Sequence, residues 1–179
     1  MGMEQRELAS IGVLGILAEE DRASVETVHE RLQHNFGRYW GASTGILVPT
    51  IDHLEEEGHV ELTASTPVAT YKLTDSGHDR LQSLLTEPVE DVSHPSFRPH
   101  LMLKLGFLHH LPTDRQRDEL NQFKDQLHTA REALLDIDET HETAVEDRES
   151  VGYRRDLIDL RVRIIDAFLA WLDVVEPPR

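Results

Sequence analysis

The sequence predicts a mainly α-helical protein with a small β-hairpin wing, in which an N-terminal winged helix-turn-helix precedes a C-terminal helical domain. Three observations lead to this fold class. Helical periodicity recurs three times in the first third of the chain. Two short runs that alternate apolar and polar residues follow, and two long helical patterns complete the sequence. A proline-containing stretch separates the parts, so we place the first domain at 1–86, a linker at 87–99 and the second domain at 100–179.

The first two helices are predicted from apolar spacing and from a capping residue. Leucine and isoleucine recur at three-residue steps between Leu8 and Leu17, which predicts a helix from about Glu4 to Glu20. After the polar turn Asp21–Ala23, Ser24 is a good N-cap for a second helix that ends near Asn35. Such a pair of helices is common in α-proteins and does not by itself indicate a function.

The third helix is predicted between a serine cap and a glycine stop. Ser43 is the expected N-cap, and Gly58 stands where a left-handed residue would end the helix. Pro49 falls in the second turn of this predicted helix. There we expect it to bend the axis or to delay the regular hydrogen bonding.

Two β-prone runs follow the third helix. His59–Thr63 and Thr70–Leu73 each alternate apolar and polar residues, which predicts a hairpin with Ala64–Ala69 at its tip. Thr74 is then the N-cap of a fourth helix that continues to about Leu85. Three helices followed by a hairpin is the order of a winged helix, and this complete order is much more specific than one helix-turn-helix pair.

At this point the residues resemble those of the PadR family of transcription regulators. The similarity is carried by Leu8–Leu17, by Tyr39–Trp40, by the stretch Ser43–Val60, and by Tyr71–Gly77 at the strand-to-helix junction. At the third helix and the wing the residues themselves are similar, whereas in the C-terminal helices only the helical architecture is. The resemblance implies a DNA-binding regulator that acts as a two-fold dimer, a repressor relieved by a small effector.

The resemblance also implies which residues meet double-stranded DNA. The N-terminal half of the third helix would enter the major groove while the hairpin lies along the backbone. Hydroxyl groups there can contact phosphates or bases, and Val48 can touch a thymine methyl. The wing tip has no basic residue between Glu61 and Tyr71, and Val48 replaces a tyrosine usual in the family. The implied DNA-binding residues are Arg38, Ser43, Thr44, Val48, Thr50 and Lys72, with His53 and His59 as additions.

The charge balance is strongly acidic, with 34 Asp and Glu against 18 Lys and Arg, a net charge of −16 and only three lysines. Disorder is one interpretation of such a composition, but the helical spacing of the apolar residues argues against it. The favoured interpretation is adaptation to molar salt, which makes the composition haloarchaeal-like. In molar salt the electrostatic screening length is short, which removes most of the repulsion among the protein's own negative charges. The first 86 residues carry 14 acidic and 6 basic side chains, a net of −8. DNA binding would then rely on hydrogen bonds, shape and apolar contacts.

Two adjacent apolar seams run along the last helical pattern. One seam suffices to pack on the preceding helix, so the second indicates a symmetry-related subunit and a homodimer. An acidic stretch, Asp136–Glu149, is expected to form the turn between the two long helices. The residues assigned to this helical dimerisation domain are Leu157, Leu160, Ile164, Ile165, Phe168 and Trp171.

Trp40 and Trp171 suggest a site for a small aromatic effector, since some PadR-like proteins hold flat aromatic compounds near the dimer interface. The alternative interpretation is that both tryptophans simply pack, and it is the favoured one. No organic cofactor is expected from the sequence.

No feature of the sequence indicates an enzyme or a metal site. Gly12–Gly15 has the wrong spacing for a phosphate-binding loop and lies in a helical pattern. The adjacent His109 and His110 cannot share one helix face, so we expect no metal ligands there. The other class of function left open is a winged helix that binds a protein instead of DNA. The absence of basic residues from the wing tip and the net charge of −8 favour it modestly.

The location of the protein is predicted from two absences. The first residues lack the basic-then-apolar order of a secretory signal, and no apolar run has the length of a membrane span. We therefore expect a cytoplasmic protein without a membrane partner.

Overall fold

The fold is described from a computed structural model covering residues 3–38, 40, 44–143 and 148–175. These residues form α-helices and one two-stranded antiparallel sheet, which confirms the predicted fold class. The chain divides into two compact units between Pro112 and Thr113. The elements are α1 (Gln5–Glu19), α2 (Val25–Phe36), α3 (Leu47–Glu56), β1 (Val60–Ala64), β2 (Thr70–Leu73), α4 (Asp75–Leu85), α5 (Phe97–Phe107), α6 (Thr113–Thr143) and α7 (Arg148–Leu172).

Helix α1 is the centre of the first unit and is buried on all sides. All ten residues from Leu8 to Leu17 are buried, because α2, α3, α4 and α5 each pack against this helix. The single apolar stripe predicted from the sequence is therefore too narrow. A helix that is apolar around its whole circumference has no face left for solvent.

Gly15 allows the ring of Phe107 to reach the backbone of α1. A Cβ atom at Gly15 would lie 2.6 Å from three atoms of this ring. Phe107 is itself fully buried and packs against Phe36 at a centroid distance of 5.2 Å, so it has little room to move aside. The missing side chain at Gly15 thus determines how closely α5 packs on α1.

Helix capping follows the sequence prediction at two of the helices. The Ser24 hydroxyl accepts a hydrogen bond from the Thr27 amide at 3.1 Å, and the Thr74 hydroxyl accepts one from the Gly77 amide at 3.0 Å. The Thr74 hydroxyl also donates to the carbonyl of Gly58 at 2.7 Å. The side chain of Thr74 therefore joins the end of α3 to the beginning of α4.

The start of α3 differs from the prediction, and its end agrees with it. A short 3-10 turn, Thr44–Ile46, precedes the helix. Pro49 consequently occupies the third position of α3, where its missing amide hydrogen costs no helical bond. The 3-10 turn before the helix agrees with the second of the two expected effects, a delayed start of the regular hydrogen bonding. Gly58 has φ +74° as predicted. The amide of His59 reaches back to the Leu54 carbonyl at 2.8 Å, which completes a Schellman cap.

The predicted hairpin is present and is tied to the turn between α1 and α2. Strands β1 and β2 pair Val60 with Leu73 and Leu62 with Tyr71. Ala23 and Tyr71 exchange two backbone hydrogen bonds, each of 2.9 Å. The sequence interpretation treated Ala23 only as part of a polar turn and missed this bridge.

The boundary between the two units lies further along the chain than the sequence indicated. Helix α5 begins at Phe97, inside the predicted linker 87–99, and contains Pro99 at its third position. Because Phe107 packs against Gly15, α5 belongs to the first unit. A functional division into a DNA-binding and a dimerisation domain stays a prediction.

The end of α5 passes into a 3-10 turn, Leu108–His110, with two adjacent histidines. Their rings lie 4.2 Å apart between centroids. Burial, followed by the neighbouring His109 and His78, lowers the pKa of His110 to about 4. Both side chains approach Glu19 at the end of α1. The argument that the two cannot share one helix face does not apply to them, because they lie in a 3-10 turn.

The second unit is an antiparallel pair of long helices. Arg131 of α6 binds Asp166 of α7 at 2.7 Å, and the rings of Phe123 and Phe168 meet edge to face with centroids 6.3 Å apart. Helix α6 continues to Thr143, well into the stretch predicted to form the turn. Residues 144–147 lie outside the described part of the chain.

The two predicted seams of α7 differ in exposure. Ile165 is fully buried in the second unit and Leu172 is 7 % exposed, as expected of the seam that packs on α6. Ile165 is therefore not free to contact a partner, and its assignment to the dimer surface is wrong. In the other seam Leu157 is 57 %, Leu160 50 % and Ile164 43 % exposed. Among the described residues, no helix has the length and apolar character needed to cross a membrane.

His100 of α5 is fully buried beside Glu90. Its Nδ1 lies 2.9 Å from Oε2 of Glu90, whose Oε1 accepts a hydrogen bond from the amide of Met3 at 2.5 Å. Burial lowers the pKa of His100 even beside this carboxylate. Burial opposes the ionisation of Glu90, but the hydrogen bonds that it accepts leave its pKa lowered. At neutral pH these shifts favour a neutral imidazole beside a carboxylate, and the short contact fits the tautomer in which Nδ1 carries the hydrogen.

We predict that Gly15→Ala destabilises the protein whereas Gly12→Ala does not. Both changes gain about 1 kcal/mol of helix propensity. At Gly15 the new methyl meets the enclosed ring of Phe107, an overpacking that costs about 1–3 kcal/mol. At Gly12 it meets only the flexible ends of Leu32 at 3.1 Å and one edge of Trp40 at 3.3 Å. Urea unfolding of both variants checks this, and equal stabilities would contradict it.

We predict that acid destabilises the protein in part through His100. The pKa of His100 is lower in the folded than in the unfolded chain, so the unfolded chain binds more protons as the pH falls. Stability that is present at neutral pH is therefore lost as the pH falls below about 6.5. In His100→Gln the slope of unfolding free energy against pH between 5 and 6.5 should decrease by up to about 1.4 kcal/mol per pH unit. His34→Gln changes an exposed histidine and is the control. Equal slopes in both variants would refute the assignment.

Candidate DNA-binding surface

The surface that corresponds to the predicted DNA contact is the solvent side of α3. We call this its outer face, made of Val48, Pro49, Asp52, Glu55 and Glu56, all of them exposed. Leu47, Ile51 and Leu54 point inward at three- to four-residue spacing and are buried. The first turn of α3 therefore offers an apolar surface, in which Val48 is 52 % exposed.

Thr50 is not part of this outer face. It is fully buried, and its hydroxyl has no hydrogen-bond partner among the described residues. Its predicted role as a DNA contact is wrong because it lies three residues after Leu47 and four before Leu54, on the inward stripe. The sequence contained this signal.

The other predicted residues near the start of α3 are described to different degrees. Ser43 lies outside the described residues, and Thr44 opens the 3-10 turn but its side chain is also outside them. Arg38 is exposed, directly after Gly37, which has φ +80° at the end of α2. The contacts proposed for Ser43 and Thr44 stay predictions.

Lys72 is the basic residue of the hairpin, and it is already paired. Its Nζ lies 2.6 Å from Oε1 of Glu61 on the neighbouring strand, and the hydrogen bond to Glu61 raises the pKa of Lys72. Both side chains are about half exposed. An exposed pair of this kind is weak, so Lys72 can exchange Glu61 for a phosphate at small cost.

The acidic half of the outer face was missed from the sequence. Asp52 and Glu55 follow Val48 by four and seven residues, which places them on the same side of α3. Burial first, and then Glu55 and Asp52, raise the pKa of Tyr71 on β2, so these carboxylates also act on the hairpin. Their spacing from Val48 was the available signal.

Two histidines near the hairpin, His53 and His59, both face Glu57. Nε2 of His53 lies 3.5 Å and Nε2 of His59 3.6 Å from Oε2 of Glu57. His59 also shares a 2.9 Å hydrogen bond with the Ser76 hydroxyl through Nδ1.

The two tryptophans occupy different kinds of position. Trp40 is 2 % exposed and lies beside Gly12 of α1, which favours the packing interpretation. Trp171 belongs to the second unit and is 42 % exposed. A ligand role for either residue stays a prediction.

Comparison with known proteins returns solved structures only; no family model matches the chain, and neither does any curated protein. The chain is similar to Bacillus subtilis PadR in complex with operator DNA, at 18 % identity and a TM-score of 0.43 over 92 % of this chain and 94 % of that one. It is also similar to the same PadR in complex with p-coumaric acid, at 19 % identity and a TM-score of 0.44 over 96 % and 95 %. A PadR-like transcriptional regulator from Bacillus cereus matches at 18 % identity and a TM-score of 0.41 over 95 % and 94 %.

We predict that Thr50→Val stabilises the protein. The valine keeps the shape of the side chain and removes a buried hydroxyl without a partner, a gain of about 1 kcal/mol. Thr74→Val is the control, because its hydroxyl caps α4, and its loss should cost about 1 kcal/mol. Chemical denaturation measures both. A destabilised Thr50→Val protein would mean that this hydroxyl is satisfied in solution.

Proposed function

We propose that the chain is a PadR-like DNA-binding transcription regulator that acts as a two-fold dimer. The observation that carries this proposal is the first turn of α3. Val48 and Pro49 are exposed there while the rest of the winged helix-turn-helix holds α3 against α1. This is the arrangement in which a recognition helix presents its first residues to the major groove.

The contacts proposed for this surface are mostly not electrostatic. Val48 would touch thymine methyl groups, and Arg38 and Lys72 would bind phosphates on either side. The hydroxyls of Ser43 and Thr44 would supply hydrogen bonds at the entry to the helix. With so few phosphate contacts, the release of counterions would contribute little to the affinity.

The acidic half of the outer face is compatible with DNA binding if the protein works in molar salt, as its composition suggests. At about 1 M salt the screening length is about 3 Å, so Asp52 and Glu55 repel only phosphates that they nearly touch. In dilute buffer the same carboxylates would oppose binding. The two conditions therefore distinguish this mode of binding from a lysine-driven one.

The proposed dimer uses the exposed seam of α7. Leu157, Leu160, Ile164 and Trp171 are each 42–57 % exposed, and such a stripe on a long helix is typical of a surface that a second copy covers. A two-fold dimer would place two copies of α3 on half-sites about one DNA turn apart. Occupation of a promoter by this dimer would make it a repressor.

We extend the proposal to a small aromatic effector that relieves repression. Trp171 is the better of the two predicted residues to meet it, because its ring is accessible and lies in the seam proposed for the dimer. A flat compound stacked on this ring would compete with, or reshape, the packing of the two copies.

The second candidate function is binding of a protein partner through the winged helix. The specific observation in its favour is the acidic half of the outer face together with the pairing of Lys72 to Glu61. A basic protein surface would complement this charge where DNA would not.

The DNA proposal predicts that Val48→Glu abolishes selective retention of genomic fragments. Purified protein is mixed with sheared DNA from its source in molar potassium chloride, and bound fragments are sequenced. We expect a few enriched sites with wild type and at least tenfold lower enrichment with Val48→Glu, since the carboxylate would enter the groove. Met102→Glu alters an apolar residue of α5 of similar exposure, 44 % against 52 % for Val48, and should keep the enrichment. No enriched site with wild type would favour the protein-binding alternative.

The dimer proposal predicts that Ile164→Asp yields monomers. A carboxylate in the middle of the seam would be buried without a partner in the dimer, which is strongly unfavourable. Ala170→Asp introduces the same group about 120° around the helix from Ile164, at a position that is also exposed, and should leave the dimer intact. Light scattering after size exclusion gives the masses; a wild-type monomer, or a dimeric Ile164→Asp, would exclude this interface.

A further inference from the structure

The end of α1 and the turn after α5 bring one carboxylate and two imidazoles together. Nε2 of His109 lies 3.3 Å from Oε1 of Glu19, and Nε2 of His110 lies 3.9 Å from the same oxygen. The ligand atoms that the three side chains offer all lie within 4.8 Å of one another. This cluster lies wholly in the first unit and is separate from the outer face of α3.

One nitrogen of the cluster has no partner. The side chain of His110 is 16 % exposed, and its Nε2 is buried without a hydrogen bond among the described residues. A buried polar atom left unpaired costs about 1–3 kcal/mol. This nitrogen lies 3.9 Å from the nearer carboxylate oxygen of Glu19, a distance too long for a hydrogen bond.

The separations fit the coordination sphere of a small ion. Zn²⁺ binds histidine nitrogen and carboxylate oxygen at about 2.0–2.2 Å in tetrahedral geometry, which sets neighbouring ligand atoms about 3.4 Å apart. The observed 3.3 Å and 3.9 Å lie on either side of this value, and all three ligand atoms lie within 4.8 Å of one another. Two imidazoles and one carboxylate are a ligand set that suits zinc and similar transition ions and not Mg²⁺.

We propose that Glu19, His109 and His110 form a binding site for one divalent transition-metal ion of the zinc class. The three side chains supply three ligands, and water completes the tetrahedron. The ion would satisfy Nε2 of His110 and fasten the turn after α5 to the end of α1.

The surroundings allow an ion to enter and to stay. The side chains of His109 and Glu19 are 47 % and 35 % exposed, so the cluster opens to solvent on their side. Among the described residues, no lysine or arginine pairs with Glu19 to compete for its charge. The side-chain amide of Gln82 donates to the His110 carbonyl at 3.3 Å and helps to hold the turn.

The test is to titrate the metal-free full chain with Zn²⁺ in a calorimeter and to measure its thermal unfolding with and without the ion. We expect one ion per chain and a higher unfolding temperature with Zn²⁺ than with a chelator, since an ion that binds only the folded chain stabilises it. Mg²⁺ at the same concentration should have no such effect. Co²⁺ in place of Zn²⁺ should give the visible absorption of a tetrahedral site.

The variants His109→Ala and Glu19→Gln should each weaken this binding by at least about 100-fold. Both residues are partly exposed, and circular dichroism verifies that the variants fold. His128→Ala removes an exposed histidine of α6 and should bind like wild type. If wild type takes up no ion, or if His109→Ala binds as tightly as wild type, the site does not exist. None of these readouts involves DNA, so they stand apart from the proposed function.

Discussion

The first unit depends on the burial of α1 from Leu8 to Leu17, on every side of the helix. Four helices rest on it, and α3 owes its orientation to this support, since only the inward stripe of α3 is buried. Gly15 is the most demanding point of the arrangement, because Phe107 occupies the space where a side chain would be. The position of the outer face is thus a consequence of packing on the opposite side of α3.

Local signals predicted much of this fold correctly. Ser24, Thr74 and Gly58 act within one helical turn of their own position, so their roles can be derived without knowing the tertiary structure. The positions of Pro49 and Pro99 could not be derived in this way. A proline is harmless in the first turn of a helix and disruptive later. An error of one turn in the predicted start of the helix therefore reverses the expected effect of the proline.

Contacts between distant residues explain the remaining differences. The bridge between Ala23 and Tyr71 joins residues that share no local pattern, and α5 joins the first unit through Phe107. At the candidate site, the inward stripe of α3 would have excluded Thr50, had the spacing from Leu47 been applied to it. The approach of His109 and His110 to Glu19 depends on the 3-10 turn and on the nearness of α1, neither of which a helical projection contains.

The Ala23–Tyr71 bridge has an evolutionary consequence. It consists of two backbone hydrogen bonds, so the hairpin is fastened to the rest of the unit by groups that nearly every amino acid provides. The exposed residues of the hairpin, from Leu62 to Val68, can therefore be exchanged without loosening this attachment. Such a frame allows the solvent-facing side of the hairpin to change while the framework that holds the hairpin stays the same.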